Sequence, residues 1–193
     1  SDKADLFVKE DWGDGRINLR CERTGKYVTT ISKGRRQSEE EDGALVAVKD
    51  AAFDWFVTEI FHIIPAENGA VRLTNRFDQP IQISKEKKLY SALTGEGSSF
   101  LMETVVDGFE EVQRLMQCAE TVILALGCHP IVNAKEEIDR TTLALPPHQE
   151  KLAKMICKIK PDAVCVLFSN YPYTIHTVQN TLPAIVWSAT GSQ

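Results

Sequence analysis

The sequence has no long basic run, no apolar run longer than a strand, no cysteine pair at CxxC spacing and no glycine-rich phosphate loop. Each absence removes a class of function. Without a basic stripe, and with a formal net charge of -5, nothing favours nucleic acid or an anionic membrane surface as a partner. Without a span of about 20 apolar residues there is no membrane-crossing helix to read. Ser1-Asp2-Lys3-Ala4-Asp5 is polar with no apolar stretch behind it, so it does not read as a signal peptide. Gly127 ends a strand-like run, but neither GxGxxG nor a P-loop follows it, which disfavours a nucleotide-binding half-domain. The cysteines are Cys21, Cys118, Cys128, Cys157 and Cys165, an odd number. They read as free thiols serving as small hydrophobes rather than as a disulfide framework or a zinc site. Reduced thiols favour the cytoplasm. No cofactor and no metal is expected.

What is present is ordinary globular material. Hydrophobic residues make up 43% and charged residues 25% of 193 positions, enough apolar groups to bury a core. That length admits one large domain or two small ones. The texture changes near Asp107-Gly108, from short alternating runs broken by Gly, Asn and Asp to apolar strands alternating with amphipathic helices. Two domains are expected, residues 1–107 and 108–193.

The first half repeats itself. A shift of 54 places Phe7 on Phe61, Gly15 on Gly69, Ile17 on Val71, Leu19 on Leu73 and Tyr27 on Ile81. Beyond that the shift becomes 44, placing Leu45 on Leu89 and Phe56 on Phe100. The change comes from the charged stretch Lys33 to Gly43, which has no apolar residue and reads as a solvated insertion. Alternation such as Ile17-Asn18-Leu19 and Val71-Arg72-Leu73 buries one face of each strand. Asp14-Gly15 and Asn68-Gly69 are hairpin signals. A repeat of about 40 residues built from four short strands predicts a β-trefoil-like module. Two copies are present, and Phe100 to Val106 resembles the first strand of a third. The rest of that copy is expected upstream of Ser1 in a longer parent. A small β-barrel or sandwich is the structural alternative.

The second half predicts α/β architecture with a short parallel sheet flanked by helices. Phe109, Val112, Leu115 and Met116 are spaced for a helix. Residues 121–127, 163–169 and 184–189 read as buried strands. A helix opens at Pro146-Pro147 and runs to about Lys160, and a short one covers 174–180. Continuous apolar strands separated by helices imply a parallel sheet covered on both faces. Ligands of such sheets bind beyond the carboxyl ends of the strands, where the segments after Gly127 and Ser169 lie. The first of these, from Cys128 to Glu150, is long for its place and concentrates titratable groups, which makes it the candidate site.

Here a family resemblance enters. Glu136, Asp139, Arg140, Leu143, Leu145, Pro146, Gln149 and Leu152 match a motif in the C-terminal α/β-sandwich domain of family 3 glycoside hydrolases. That motif has a Glu three residues before Asp-Arg, then Leu-x-Leu-Pro-x-x-Gln-x-x-Leu. Val164 to Tyr173 resembles the family's following strand and loop. Pro183 to Gln193 resembles its Pro-Ala-Ile-Leu strand ending in Gly-Gly-Gln, with Ser192 in place of the second Gly. Over residues 1–107, Asp11-Trp12-Gly13 and Gly25-Lys26-Tyr27-Val28 resemble the fascin-like trefoil module inserted in some bacterial members.

The resemblance implies a fragment of an enzyme hydrolysing β-glucosides or β-xylosides. A retaining glycosidase sets a nucleophilic carboxylate and an acid/base carboxyl about 5–5.5 Å apart. By resemblance the nucleophile sits on a barrel domain, which this chain is too short to hold, so the fragment alone is expected to be inactive. Glu136 is the acid/base candidate and Glu137 the second choice. An acid at this position needs a raised pKa, which Lys135 opposes unless it points away. Asp139 and Arg140 are expected to brace the loop. His129, Tyr171 and Tyr173 are candidates for binding an oligosaccharide or an aryl or alkyl β-glycoside. Trp12, Trp55 and Trp187 read as core residues. The rival reading is a non-catalytic carbohydrate-binding or interaction module that uses the trefoil.

Overall fold

The computed structural model describes residues 5–13, 15–31, 43–52, 56–128 and 142–189. Lys33 to Asp42 of the charged insertion, Asp14 and Trp55 lie outside them. The chain forms two compact units, Ser1–Met102 and Glu103–Gln193.

The first unit is built of antiparallel hairpins that occur twice. Strand β1 (Phe7–Gly13) pairs with β2 (Arg16–Cys21), and β3 (Tyr27–Thr30) pairs with β4 (Leu45–Lys49). In the second copy β5 (Phe61–Pro65) pairs with β6 (Val71–Asn75), and β7 (Ile81–Ile83) with β8 (Leu89–Ser91). The link between copies also recurs. Ile17 of β2 lies opposite Phe61 of β5, and Val71 of β6 bridges Phe100 in the same antiparallel sense. Strands β4-β3-β2-β5-β6 form one sheet, with β1 also on β2, and β7-β8 form another.

The repeat holds with one change of register. The Cys21 amide donates to the Lys26 carbonyl, whereas the matching Asn75 amide donates to Gln79, across a turn one residue shorter. Val28, rather than Tyr27, therefore occupies the place of Ile81. Both are buried, with Ile17, Phe61 and Leu73, against Leu19, Leu45, Ile63 and Phe100. Tyr27 faces the other way, and its hydroxyl donates to Glu10 at 2.9 Å. The insertion keeps its flanks: Ile31 bonds Ala44 as Ser84 bonds Lys88.

The second unit begins with helix α1 (Gly108–Met116), capped by Asp107, whose Oδ1 accepts from the Phe109 amide at 2.7 Å. Strand β9 (Ile123–Gly127), helix α2 (Pro147–Ile159), strand β10 (Val164–Phe168), helix α3 (His176–Gln179) and strand β11 (Ala184–Ser188) follow. Pro147 occupies the first turn of α2, where its missing amide hydrogen is not needed. The three strands are parallel in the order β11-β10-β9. Their carboxyl ends are level: Gly127, Phe168 and Ser188 are register partners.

Helices α1, α2 and α3 pack on one face of this sheet. Leu124, Leu126, Cys165 and Leu167 are buried there with Met116, Ala153, Ile156, Cys157 and Val178. The opposite face was expected to be covered as well. Instead Ile123, Phe168 and Val186, which alternate with the buried set, are exposed. Among the described residues no helix is long and apolar enough to cross a membrane.

Candidate functional site

The carboxyl edge of the parallel sheet is held by polar contacts rather than by apolar packing alone. Gly127 ends β9 with φ +142, a conformation that side-chain-bearing residues rarely adopt. A Cβ placed there would sit 1.9 Å from the Phe168 carbonyl oxygen. The chain at Gly127 thus lies flat against β10, and the Cys128 amide donates to that same oxygen at 3.1 Å.

Gln149, in the first turn of α2, clamps Gly127 from the other side. Its Oε1 accepts from the Gly127 amide at 3.0 Å and its Nε2 donates to the Gly127 carbonyl at 2.8 Å. One primary amide thereby takes the place of a strand partner, which β9 lacks on this side among the described residues. Replacing Gln149 with Leu keeps the volume and removes both bonds. Leaving Gly127 unsatisfied costs about 1–3 kcal/mol. Thermal unfolding of the Gln149→Leu chain should fall by several degrees, and the Gly127 amide should exchange faster. An unchanged exchange rate at Gly127 would refute the clamp.

Ser169, fully buried, organises the end of β10. Its amide donates to the Ser188 carbonyl at 3.0 Å, tying β10 to β11. Its hydroxyl donates to the Tyr171 carbonyl at 2.7 Å and accepts from the Tyr171 amide at 3.0 Å, closing a tight turn. The Cys128 sulfur lies 3.5 Å from the same hydroxyl oxygen. The segment beyond β9 thus starts beside this turn. It returns at Leu143, whose carbonyl accepts from the Thr174 amide at 2.7 Å, and Ala144 bridges Thr174 in parallel. Leu145 is buried in the core below.

Of the residues expected at the site, Tyr171 is exposed on the turn, and Tyr173 packs against the core cluster. His129, Glu136, Glu137, Asp139 and Arg140 lie outside the described residues. Trp187 corrects the sequence reading. It was expected in the core, yet it is 64% exposed. It stands on the edge strand, with no neighbouring strand beyond it among the described residues to cover it. Ser169 was missed, and Gln149 was seen as a motif position without its role. The five cysteines are free. Burial pushes the Cys157 and Cys165 thiols up, which keeps them protonated and unreactive. Among the described residues no cluster of His, Cys, Asp and Glu could hold a metal ion.

The motif around Leu143, Leu145, Pro146 and Gln149 is therefore built into the carboxyl edge of a parallel sheet. The glycosyl hydrolase family 3 C-terminal domain matches residues 2–193. The chain belongs to this family. The match spans both compact units. Among solved structures, the chain is similar to a β-glucosidase from Kluyveromyces marxianus at 14% identity and a TM-score of 0.41, over 83% of this chain and 26% of that one. It is also similar to ThreeFoil, a designed threefold-symmetric protein, at 14% identity and a TM-score of 0.40, over 51% of this chain and 71% of that one. No curated protein matches the chain.

Proposed function

We propose that this family 3 chain supplies the acid/base loop of an enzyme hydrolysing β-glucosides or β-xylosides, with Glu136 as proton donor. The observation that carries the reading is the pinned carboxyl edge: Gln149 fixes Gly127, and Leu143 and Leu145 of the same motif fix the return of the segment. Residues 129–141 connect those two points in the chain, so the motif's Glu136 belongs to a segment whose ends are held at a ligand-binding edge. Hydrolysis requires a second carboxylate, which a barrel domain elsewhere in the parent would supply. The first unit is read as a trefoil-like insert. Its support is the recurrence of the Ile17–Phe61 pairing as Val71–Phe100.

Assay with aryl β-glucosides and β-xylosides tests the reading. The chain alone should give no turnover above buffer, because one of two carboxyl groups is missing. The parent enzyme should turn over at least one of the two substrates. Turnover by the isolated chain at the parent's rate would sink the proposal, as would a parent inert to both.

A further inference from the structure

The connection between β5 and β6 holds the one Asn-Gly pair of the sequence, Asn68-Gly69. The φ angles are +55 at Asn68 and +76 at Gly69, and the Ala70 amide donates to the Glu67 carbonyl at 3.1 Å. This is a type I′ turn, whose twist matches that of the strands it joins. Both residues are exposed. A carbon added at the Cβ position of Gly69 would meet nothing within 4 Å, so the peptide between the two residues has open space on that side. Asn68 has ψ +33. Turning over that one peptide takes its ψ to about −120° and the Gly69 φ to about −80°, which makes a type II′ turn. The Asn68 φ stays at about +60° in both turns, so the strands need not part. Gly69 accepts either sign of φ. The type II′ ψ of about −120° also eclipses the Gly69 nitrogen with the Asn68 Cβ, as a five-membered ring requires. The flipped turn thus brings that nitrogen to the side-chain amide carbon without opening the hairpin.

We propose that Asn68 is a self-modifying site, which closes to a succinimide within the folded hairpin and reopens as aspartate or isoaspartate. Hydroxide takes the Gly69 amide proton. The nitrogen bonds to the Asn68 Cγ, the Cγ–Nδ2 bond breaks, and the departing nitrogen takes a proton from water to leave as ammonia. Water then opens the ring. Cleavage between Cγ and the Gly69 nitrogen gives aspartate. Cleavage between the main-chain carbonyl carbon and that nitrogen gives isoaspartate, whose backbone runs through Cβ. In sum, water replaces ammonia, and no oxidant or cofactor is needed. The aspartate product suits this hairpin, because the matching tip of the first copy reads Asp14-Gly15, with Gly15 at φ +73. The isoaspartate product lengthens the tip by one backbone atom. That change falls just ahead of Val71, whose amide and carbonyl both bond Phe100 at 2.8 Å.

The test is peptide mass mapping of the chain held at mildly alkaline pH, once in buffer and once unfolded in guanidinium chloride. Conversion exchanges an NH for an O in the peptide that carries Asn68. Methylation by an isoaspartate methyltransferase with S-adenosylmethionine counts the isoaspartate. The folded chain should convert within about tenfold of the unfolded rate, because no local unfolding has to come first. The rate should rise in proportion to hydroxide. In the folded chain the peptides carrying Asn18 and Asn75, both buried, should convert at least about tenfold more slowly. Asn68→Gln should abolish the change at this position, since the larger ring closes far less readily, with circular dichroism verifying the fold. A folded rate more than about tenfold below the unfolded one overturns the proposal, because the hairpin must then open before the ring can close. Isoaspartate that persists at the same level in Asn68→Gln overturns it as well.

Discussion

Replacing Glu136 with Gln in the parent enzyme should lower kcat for alkyl β-glucosides about 10²–10⁴-fold, the usual worth of a positioned general acid or base. The amide keeps the size of the side chain and cannot give up a proton to the leaving oxygen. Alkoxide leaving groups need that proton, and strongly acidic phenols do not. The loss should therefore shrink in the glycosylation step as the leaving group becomes more acidic. On the proposed reading, water attack in the second step also uses Glu136 as its base. Azide, which needs no deprotonation, should restore turnover of activated substrates and yield a glycosyl azide. The limb of the pH profile that reports the acid should vanish with Glu136. Glu137→Gln, at the neighbouring position, should change kcat less than about tenfold on the same scale. Equal losses at both positions, or a Glu136→Gln enzyme without azide rescue, would remove Glu136 from the role.

The fold was legible in the sequence where local chemistry and tertiary packing agree. Pro146-Pro147 announces α2, and the structure starts that helix at Pro147. The runs at Val164 to Phe168 and Ala184 to Ser188 become parallel strands because β-branched and apolar residues suit a sheet with one buried face. The repeat was legible where Ile17 falls on Val71, but the pairing of Ile17 with Phe61 recurs as Val71 with Phe100, so Phe100 takes the place of Phe61 and not of Phe56, with which the sequence aligned it. What failed was what depends on position within the sheet. Val186 and Ile123 look like buried strand residues in the sequence, yet they are exposed, on a face that no helix covers among the described residues. Trp187 reads as core because large aromatics usually are. Its exposure follows from strand order, since among the described residues no strand pairs with β11 on its other side. Ser169 carries no sequence signal of its own, because its role arises from three segments converging. Gln149 could have been found: a polar residue in the first turn of a helix, at fixed spacing after Leu-x-Leu-Pro, invites a search for a backbone partner.

Gly127→Ala should be among the most destabilising single changes in the second unit, although it adds one methyl group. Two costs combine. The φ of +142 strains any side-chain-bearing residue by about 1–3 kcal/mol. The added Cβ also meets the Phe168 carbonyl oxygen at 1.9 Å, the Phe168 carbonyl carbon at 2.8 Å and its nitrogen at 3.1 Å. These are backbone atoms inside a parallel pair, so they cannot swing aside as a flexible side chain would. Separating β9 from β10 there weakens the Cys128–Phe168 bond and misaligns the Gln149 clamp. Together the penalties reach roughly 3–5 kcal/mol, the range of severe core lesions. For a unit of this size the midpoint should fall about 10 °C or more. Gly69→Ala is the matched comparison. Its φ is +76 and nothing lies within 4 Å of the added carbon. Only backbone strain remains there, about 1–2 kcal/mol, and it falls on the other unit. Calorimetry of both variants, with hydrogen exchange at Cys128 and Ser169, separates collision from strain. If the two alanines cost the same, the close approach of β9 to β10 is not what requires glycine. If Gly127→Ala costs several-fold more and speeds exchange at Cys128, the collision is the reason.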